Sequence, residues 1–203
     1  MLSKKIVFVL MAIICFGFVK SPTHDGKKYT IRWIICENSS LIVNGSTNLN
    51  RFSCAIHPYP RTDTIKIEQN LTSKKISLTG SMNIAIAGFD CKNGMMTKEL
   101  RKTLKEEQFP HINIEFLSIN QLPELNSKPV SLNGGVAIEI AGVKKRFEVN
   151  YTMSIDENKE ITLIAIKEIN FSDFKLVPPR KFGKLVQAKD QLSVVLNLKM
   201  RAL

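Results

Sequence analysis

Along most of this chain apolar residues recur at every second position, which is the period of a strand with one face buried. Tyr29 to Cys36, YTIRWIIC, alternates imperfectly and reads as a first strand. Ser40 to Asn44 is a second, Gly45 and Ser46 punctuate it, and Thr47 to Ile56 resumes with Phe52, Cys54 and Ile56 on one parity. Pro58 and Pro60 end that run, because proline cannot donate to a ladder. Thr64 to Leu71 and Lys75 to Leu78 predict a hairpin turning at Asn70 to Lys74. Ser81 to Phe89 follows, with Met82, Ile84 and Ile86 on one face and Gly80 and Gly88 as candidate bends.

One stretch departs from this period. Met96, Leu100 and Leu104 recur at helical spacing while Lys98, Arg101, Lys102, Lys105, Glu106 and Glu107 fall elsewhere, which predicts a short amphipathic helix capped at Thr97. Pro110 stops it, since the residue before a proline is pushed out of the helical region. Strand periodicity then returns in Ile112, Ile114 and Phe116, with Leu117 breaking the pattern. Such a helix must bury its stripe against a sheet or across the end of a barrel, as a lid or plug.

Beyond a polar loop at 121–129, Ser131 to Ile140 and Val143 to Met153 form a tight pair around Ala141 and Gly142, with Phe147, Val149, Tyr151 and Met153 as an inward file. Ile161 to Ile169 is another strand. Phe171, Phe174 and Phe182 gather around Pro178 and Pro179 in a structured loop, and Leu192, Val194, Leu196, Leu198 and Met200 form the last inward file. Eight to ten short strands and one helix, with no regular alternation of the two, predict an all-β antiparallel protein.

The first segment changes the picture. Lys4 and Lys5 precede an uncharged apolar run from Ile6 to Val19, the layout of a secretory signal, and the run is short for a membrane span. Residues 1–21 are therefore expected to be a signal peptide and 22–203 a single domain. The chain carries a formal charge of +11, and removing Lys4, Lys5 and Lys20 with no acid leaves +8. That balance favours anionic partners such as lipid headgroups, while export argues against nucleic acid. With 44% hydrophobic and 23% charged residues, the composition leaves room for a proper core and argues against disorder.

Cys36, Cys54 and Cys91 remain after the leader and allow three single pairings. Cys54 with Cys91 is preferred, leaving Cys36 on a strand face. No CxxC is present and His24, His57 and His111 do not cluster, so neither a metal nor a redox cofactor is expected. No nucleophile motif or glycine-rich phosphate loop is present, and Glu106 and Glu107 read as solvated helix charges. The chain is not expected to be an enzyme.

Four segments together resemble the YceI-like family of exported bacterial proteins: LIVNGSTNLNRFSC from Leu41, ELRKTLKEEQFPHINIEF from Glu99, GGVAIEIAGVKKRFEVNYTM from Gly134, and INFSDFKL followed by GKLVQAKDQLSVVLNLKM near the end. Where commoner members have a histidine after the first phenylalanine strand and a longer aspartate-arginine segment after the helix region, this chain has Cys54 and Cys91, similar to a subset with a cysteine pair.

The resemblance implies an extended lipocalin-like barrel of about eight strands with one short helix near mid-chain. It also implies a periplasmic or secreted carrier of an amphiphile such as an isoprenoid, a quinone or a fatty-acid derivative. The lining expected by parity and helix face is Phe52, Ile86, Leu100, Leu104, Phe116, Ile138, Phe147, Tyr151, Phe174 and Leu196. Arg180, Lys181 and Lys184 would meet an anionic headgroup. An eight-stranded barrel is just wide enough for side chains or one slender ligand, and a useful ligand site needs roughly 300 Å³. A second reading is a filled barrel that binds an envelope partner through an exposed apolar patch. Transient membrane contact is compatible with either, and the oligomeric state is open, a homodimer included.

Overall fold

The computed structural model describes residues 28–56, 58–123, 128–181 and 185–203, with the side chain of residue 181 outside the description. The expected signal peptide, His57 and Lys184 lie outside the described residues.

The described chain contains β1 (Lys28–Ile35), β2 (Ser40–Thr47), β3 (Arg51–Ile56), β4 (Thr64–Asn70), β5 (Ile76–Thr79), β6 (Ser81–Ala85), α1 (Gly94–Thr103), β7 (His111–Ile119), β8 (Val130–Ile140), β9 (Val143–Ile155), β10 (Ile161–Asn170), β11 (Arg180–Lys181) and β12 (Val186–Ala202). Two 3-10 turns, Ile86–Gly88 and Phe171–Phe174, complete it. The main path through the sheet is β5-β4-β1-β12-β10-β9-β8-β7-β6, nine strands against the expected eight or so, with the paired strands antiparallel throughout.

The ends of this path are consecutive in sequence. β5 pairs with β4 and β6 pairs with β7, and only Gly80 separates them, so one bent run closes the barrel. At Gly80 the carbonyl accepts from Phe116 N–H of β7 at 3.0 Å. A Cβ there would meet the Thr64 carbonyl oxygen of β4 at 2.7 Å and Ile65 Cα at 3.0 Å. Glycine is required because β4 and β7 converge on the same residue.

β12 is long enough to serve two partners on one side. β1 pairs with its end, at Trp33 with Ala202 and Ile35 with Met200, and β2 pairs with its first half, at Leu41 with Leu196 and Thr47 with Ala188. The link between them is fastened at Lys199. Cys36 N–H donates to its carbonyl at 2.7 Å, and the wholly buried Ser39 accepts from Lys199 N–H through its hydroxyl at 2.9 Å. β3 continues beyond β2, and Ala55 exchanges two backbone hydrogen bonds with Asp90, at 2.8 and 2.9 Å. The barrel is thus closed a second time at this end, through the segment that follows β6.

Three local features differ from the sequence expectation. The β2–β3 turn lies at 48–50, not at Gly45: the hydroxyl of Thr47 accepts from the N–H groups of Leu49 and Asn50. Gly45 is instead paired with Phe52, whose ring crosses it so closely that a Cβ would lie 2.3 Å away. The helix starts earlier than Thr97, at Gly94, because Asn93 supplies the cap, its Oδ1 accepting from Met96 N–H at 3.1 Å. It ends ahead of Pro110, where Lys105 takes the left-handed conformation at φ 57°. The irregularity at Leu117 is a register shift between Phe116 and Ser118, which returns Ile119 to the buried face.

Inward files from every wall are buried, among them Trp33 and Ile35 of β1, Ile65 and Ile67 of β4, Met82 and Ile84 of β6, Leu132 of β8, Met153 of β9, Ile161 of β10, and Leu198 and Met200 of β12. Gly80→Ala is expected to destabilise the protein by about 1–3 kcal/mol, the usual cost of forcing a group into a filled site. Gly94→Ala, where the added carbon meets nothing within 4 Å, is expected to be neutral or slightly stabilising. Urea unfolding of the two variants checks the pair.

Candidate functional site

One end of the barrel is built from three pieces: α1, the β2–β3 hairpin, and the loop from the Phe171–Phe174 turn to the start of β12. Between them lies a cleft of about 210 Å³ lined by Thr47, Asn50, Phe52, Cys54, Asn93, Met95, Met96, Glu99, Leu100, Phe171, Pro179, Val186 and Ala188. Its walls are mostly apolar. The bare backbone of Gly45 lets the Phe52 ring lie flat across β2 toward Leu192, and that placement sets the cleft's floor.

A disulfide joins Cys54 to Cys91 at this floor, the pairing preferred from the sequence, and Cys36 is free. It ties β3 to the segment that enters α1. Thr97 reinforces the link: its hydroxyl donates to Asn93 O and accepts from Cys91 N–H, each at 3.0 Å. On the outer side of α1, Arg101 donates to the carbonyls of Ala87 and Phe89, so the helix is held to the 3-10 turn by its guanidinium as well as by its apolar stripe.

The opposite side of the mouth is closed by the second 3-10 turn. Phe171 and Phe174 are buried, and the Phe147 and Phe174 ring centroids lie 6.0 Å apart. The ammonium groups of Lys145 and Lys167 each stand 5.7 Å from the Phe147 centroid. Asp173 caps the turn, accepting from Asn170 N–H at 2.8 Å, and also accepts from Lys145. That bond from Lys145, opposed by partial burial and assisted by Asn170, holds the Asp173 carboxyl below the ordinary carboxylate range.

Of the ten expected lining residues, Phe52 and Leu100 line the cleft. Ile86, Leu104, Phe116, Ile138, Tyr151, Phe174 and Leu196 are buried, and Phe147 is half-buried against Phe174. Tyr151 does not line the cleft: it stands on β9 opposite Ala165, which pairs with Leu196 of β12. Its hydroxyl and the indole N–H of Trp33 are buried with no hydrogen-bond partner among the described residues. Burial, with the Glu148 charge adding to it, raises the Tyr151 phenol far above its usual range, so it stays a neutral donor. Arg180 is exposed in β11, paired with Gln187. Met95, Phe171, Pro179, Val186 and Ala188 were not expected in the site. They sit on loops and at element ends, where parity along a strand says nothing about direction. Among the described residues, no group of three His, Cys, Asp or Glu side chains is placed to hold a metal ion.

No protein-family model matches the sequence, and no curated protein matches it. Solved structures do match by shape. A polyisoprenoid binding domain from Saccharophagus degradans, implicated in plant cell wall breakdown, superposes with a TM-score of 0.59 at 9% identity, covering 84% of this chain and 98% of that one. BcnA of Burkholderia cenocepacia gives a TM-score of 0.56 at 13% identity, covering 79% and 94%. The chain shares the antiparallel barrel fold of these two structures. The Campylobacter jejuni YceI protein is also matched, at 16% identity and a TM-score of 0.47, over 66% of this chain and 77% of that one. At these identities the likeness is one of fold.

Two outcomes test this end of the barrel. Because the folded-state pKa of Asp173 is depressed, its stabilisation is present above the unfolded carboxylate pKa, about 4, and is lost as pH falls through the folded value. Asp173→Asn should therefore flatten the acid side of the stability curve, by about 1 kcal/mol or less for so exposed an ion pair. Reducing the disulfide, or replacing both cysteines by serine, releases a loop with a sequence separation of 37 and should cost about 3–4 kcal/mol in chemical denaturation.

Proposed function

We propose that this protein is an exported binder of a long-chain amphiphile, an isoprenoid, quinone or fatty-acid derivative, whose apolar tail enters the barrel between α1 and the β2–β3 hairpin. The observation that carries the reading is the apolar cleft at the mouth, framed by Phe52, Met95, Met96, Leu100, Phe171 and Val186. At about 210 Å³ it is smaller than the roughly 300 Å³ at which compact ligand pockets begin, so it admits a chain end or a narrow segment. Two of its walls can adapt. Met95 and Met96 are unbranched and polarizable, and both project from the first turn of α1.

Three further features support the reading. The fold is shared with a structure named for polyisoprenoid binding. The Tyr151 hydroxyl is a buried donor with no partner among the described residues, available to a polar atom of a guest that reaches it. The disulfide suits an oxidising compartment outside the cytoplasm, as does the apolar leader in the sequence. No catalytic role is proposed.

A second reading is favoured by a different observation. Ile42 of β2, Val195 of β12 and Ile166 of β10 are aligned in register on the outer wall, with Ile164 beside them, and Ile166 is 60% exposed. Such a strip fits a protein partner in the envelope, with the barrel serving as scaffold. The readings separate by experiment. Organic extraction and native mass spectrometry of the purified protein should recover a bound amphiphile, and Met96→Trp, which fills the cleft, should weaken displacement of a fluorescent fatty-acid probe at least ~10-fold, the scale of ~1.4 kcal/mol. Wild-type protein that carries no lipid and shows no saturable probe binding would overturn the carrier and leave the scaffold.

A further inference from the structure

Four large apolar side chains stand in water around the mouth of the cleft. Leu49 is 72% exposed, Val177 70%, Leu185 73% and Met95 61%. Single exposed hydrophobic residues are common on any protein. These four share one end of the molecule, and three of them are held there by hydrogen bonds. Asn48 ties the hairpin turn to the start of β12: its Nδ2 donates to Leu185 O at 2.9 Å, its Oδ1 accepts from Gln187 N–H at 2.9 Å, and its own N–H donates to Gln187 O at 3.1 Å. That knot fastens the turn that carries Leu49 to the backbone of Leu185. Val177 precedes the Pro178–Pro179 pair, which is anchored by Ala188 N–H donating to Pro179 O at 3.0 Å. Met95 projects from the first turn of α1 on the facing side, and Asn50, Pro179, Val186 and Met95 itself line the cleft that the four surround.

The same rim is basic. Arg51 follows Asn50, Lys92 lies between Cys91 and Asn93, Arg180 follows Pro179 and Lys189 follows Ala188, and all four are exposed. Four acids are near, Asp90, Glu99, Asp173 and Asp190: Asp90 accepts from Lys92 N–H at 2.8 Å, and Asp173 is paired with Lys145. Asp190 accepts from the N–H and hydroxyl of Ser172, and Glu99 has its own interaction. Apolar tips ringed by cations are the composition of a surface that lies in a lipid interface, where tips reach the acyl boundary and the cations meet anionic headgroups. A second copy of this chain is the poorer occupant, because two such rims would set like charges against each other.

We propose that this rim is a membrane-docking surface, with Leu49, Val177, Leu185 and Met95 entering an anionic bilayer and Arg51, Lys92, Arg180 and Lys189 contacting its headgroups. Its purpose, delivering the cleft to lipid, rests on the reading of the cleft as a lipid site. Its physics does not. In the docked state the cleft opens directly onto the acyl chains, so a tail passes between bilayer and barrel without crossing water.

Vesicle co-sedimentation of the purified protein tests it, with phosphatidylcholine vesicles alone and mixed with phosphatidylglycerol. Wild-type protein should partition onto the mixed vesicles, less so as salt is raised. Arg51→Gln with Arg180→Gln should weaken partitioning about 25-fold, roughly 5-fold per cation. Leu49→Asp with Leu185→Asp should weaken it at least ~10-fold, while Ile166→Asp on the outer wall should leave it unchanged. All these positions are exposed, so circular dichroism and unfolding midpoints should match the wild type. Absence of wild-type partitioning overturns the proposal, as does partitioning that the rim variants leave intact, or a rim-dependent dimer in light scattering without vesicle binding. Bound-lipid content is read in parallel. Rim variants that keep their lipid but lose vesicles support the proposal, and a lipid-free protein that still docks through the rim supports it while overturning the carrier.

Discussion

The structure depends on one requirement: the two ends of the sheet path must meet, and the chain achieves this by bending one strand run instead of adding strands. The run β5–Gly80–β6 gives its first half to β4 and its second to β7, so the sheet path returns to where it began. An open edge would expose a row of backbone donors and acceptors and template pairing with other chains. The convergence leaves no room for a side chain at Gly80, with the β4 carbonyl of Thr64 pressed against that position. One residue without a Cβ thus permits the closure on which the interior depends.

The same economy at the other end produces the cleft. β12 is seventeen residues long, more than one neighbour can cover, so β1 takes its end and β2 its beginning. The hairpin β2–β3 then overhangs and must be fastened elsewhere. The Ala55–Asp90 bridge and the Cys54–Cys91 disulfide do this, and they also set where α1 begins. The covalent tie lies at the floor of the cleft, so the feature that stabilises this end also shapes its cavity. The Phe171–Phe174 turn closes the remaining side, locked by Asp173 and Lys145 and packed on Phe147.

Much of this was legible in the sequence where side chains alternate against a wall. The inward files of β9 and β12, the β4–β5 hairpin and the buried stripe of α1 through Leu100 and Leu104 follow from period alone. Even the break at Leu117 marks a real register shift. The misreadings share a cause. Gly45 looks like a turn residue when seen locally, yet it is a strand residue made small by a ring from the next strand, a tertiary contact with no local signature. Thr97 looks like a helix cap, but Asn93 takes that role and leaves Thr97 to brace Cys91. Parity selects everything that faces inward at any depth, so the expected lining ran the length of the barrel. The cleft is made at its end, by Met95, Phe171, Pro179 and Val186, whose directions are set by turns and caps.

That distinction bears on how a guest could be held. The large inward side chains, Trp33, Met153 and Leu198 among them, occupy the interior as a packed core, and close-packed interiors yield to insertion only at a cost of kilocalories. A guest therefore gains most where packing is already incomplete, at the mouth, and progresses inward only as far as flexible residues give way. Met95 and Met96 lie at that entrance, while Ala165 and Gly134, the small residues beside the Tyr151 ring, lie further in. The Tyr151 hydroxyl, without a partner among the described residues, adds a bias in the same direction. A buried donor without a partner costs about 1–3 kcal/mol, and whatever oxygen reaches it recovers part of that. Entry from the end, by a slender chain and against a graded resistance, is what this arrangement of filled barrel and open mouth allows.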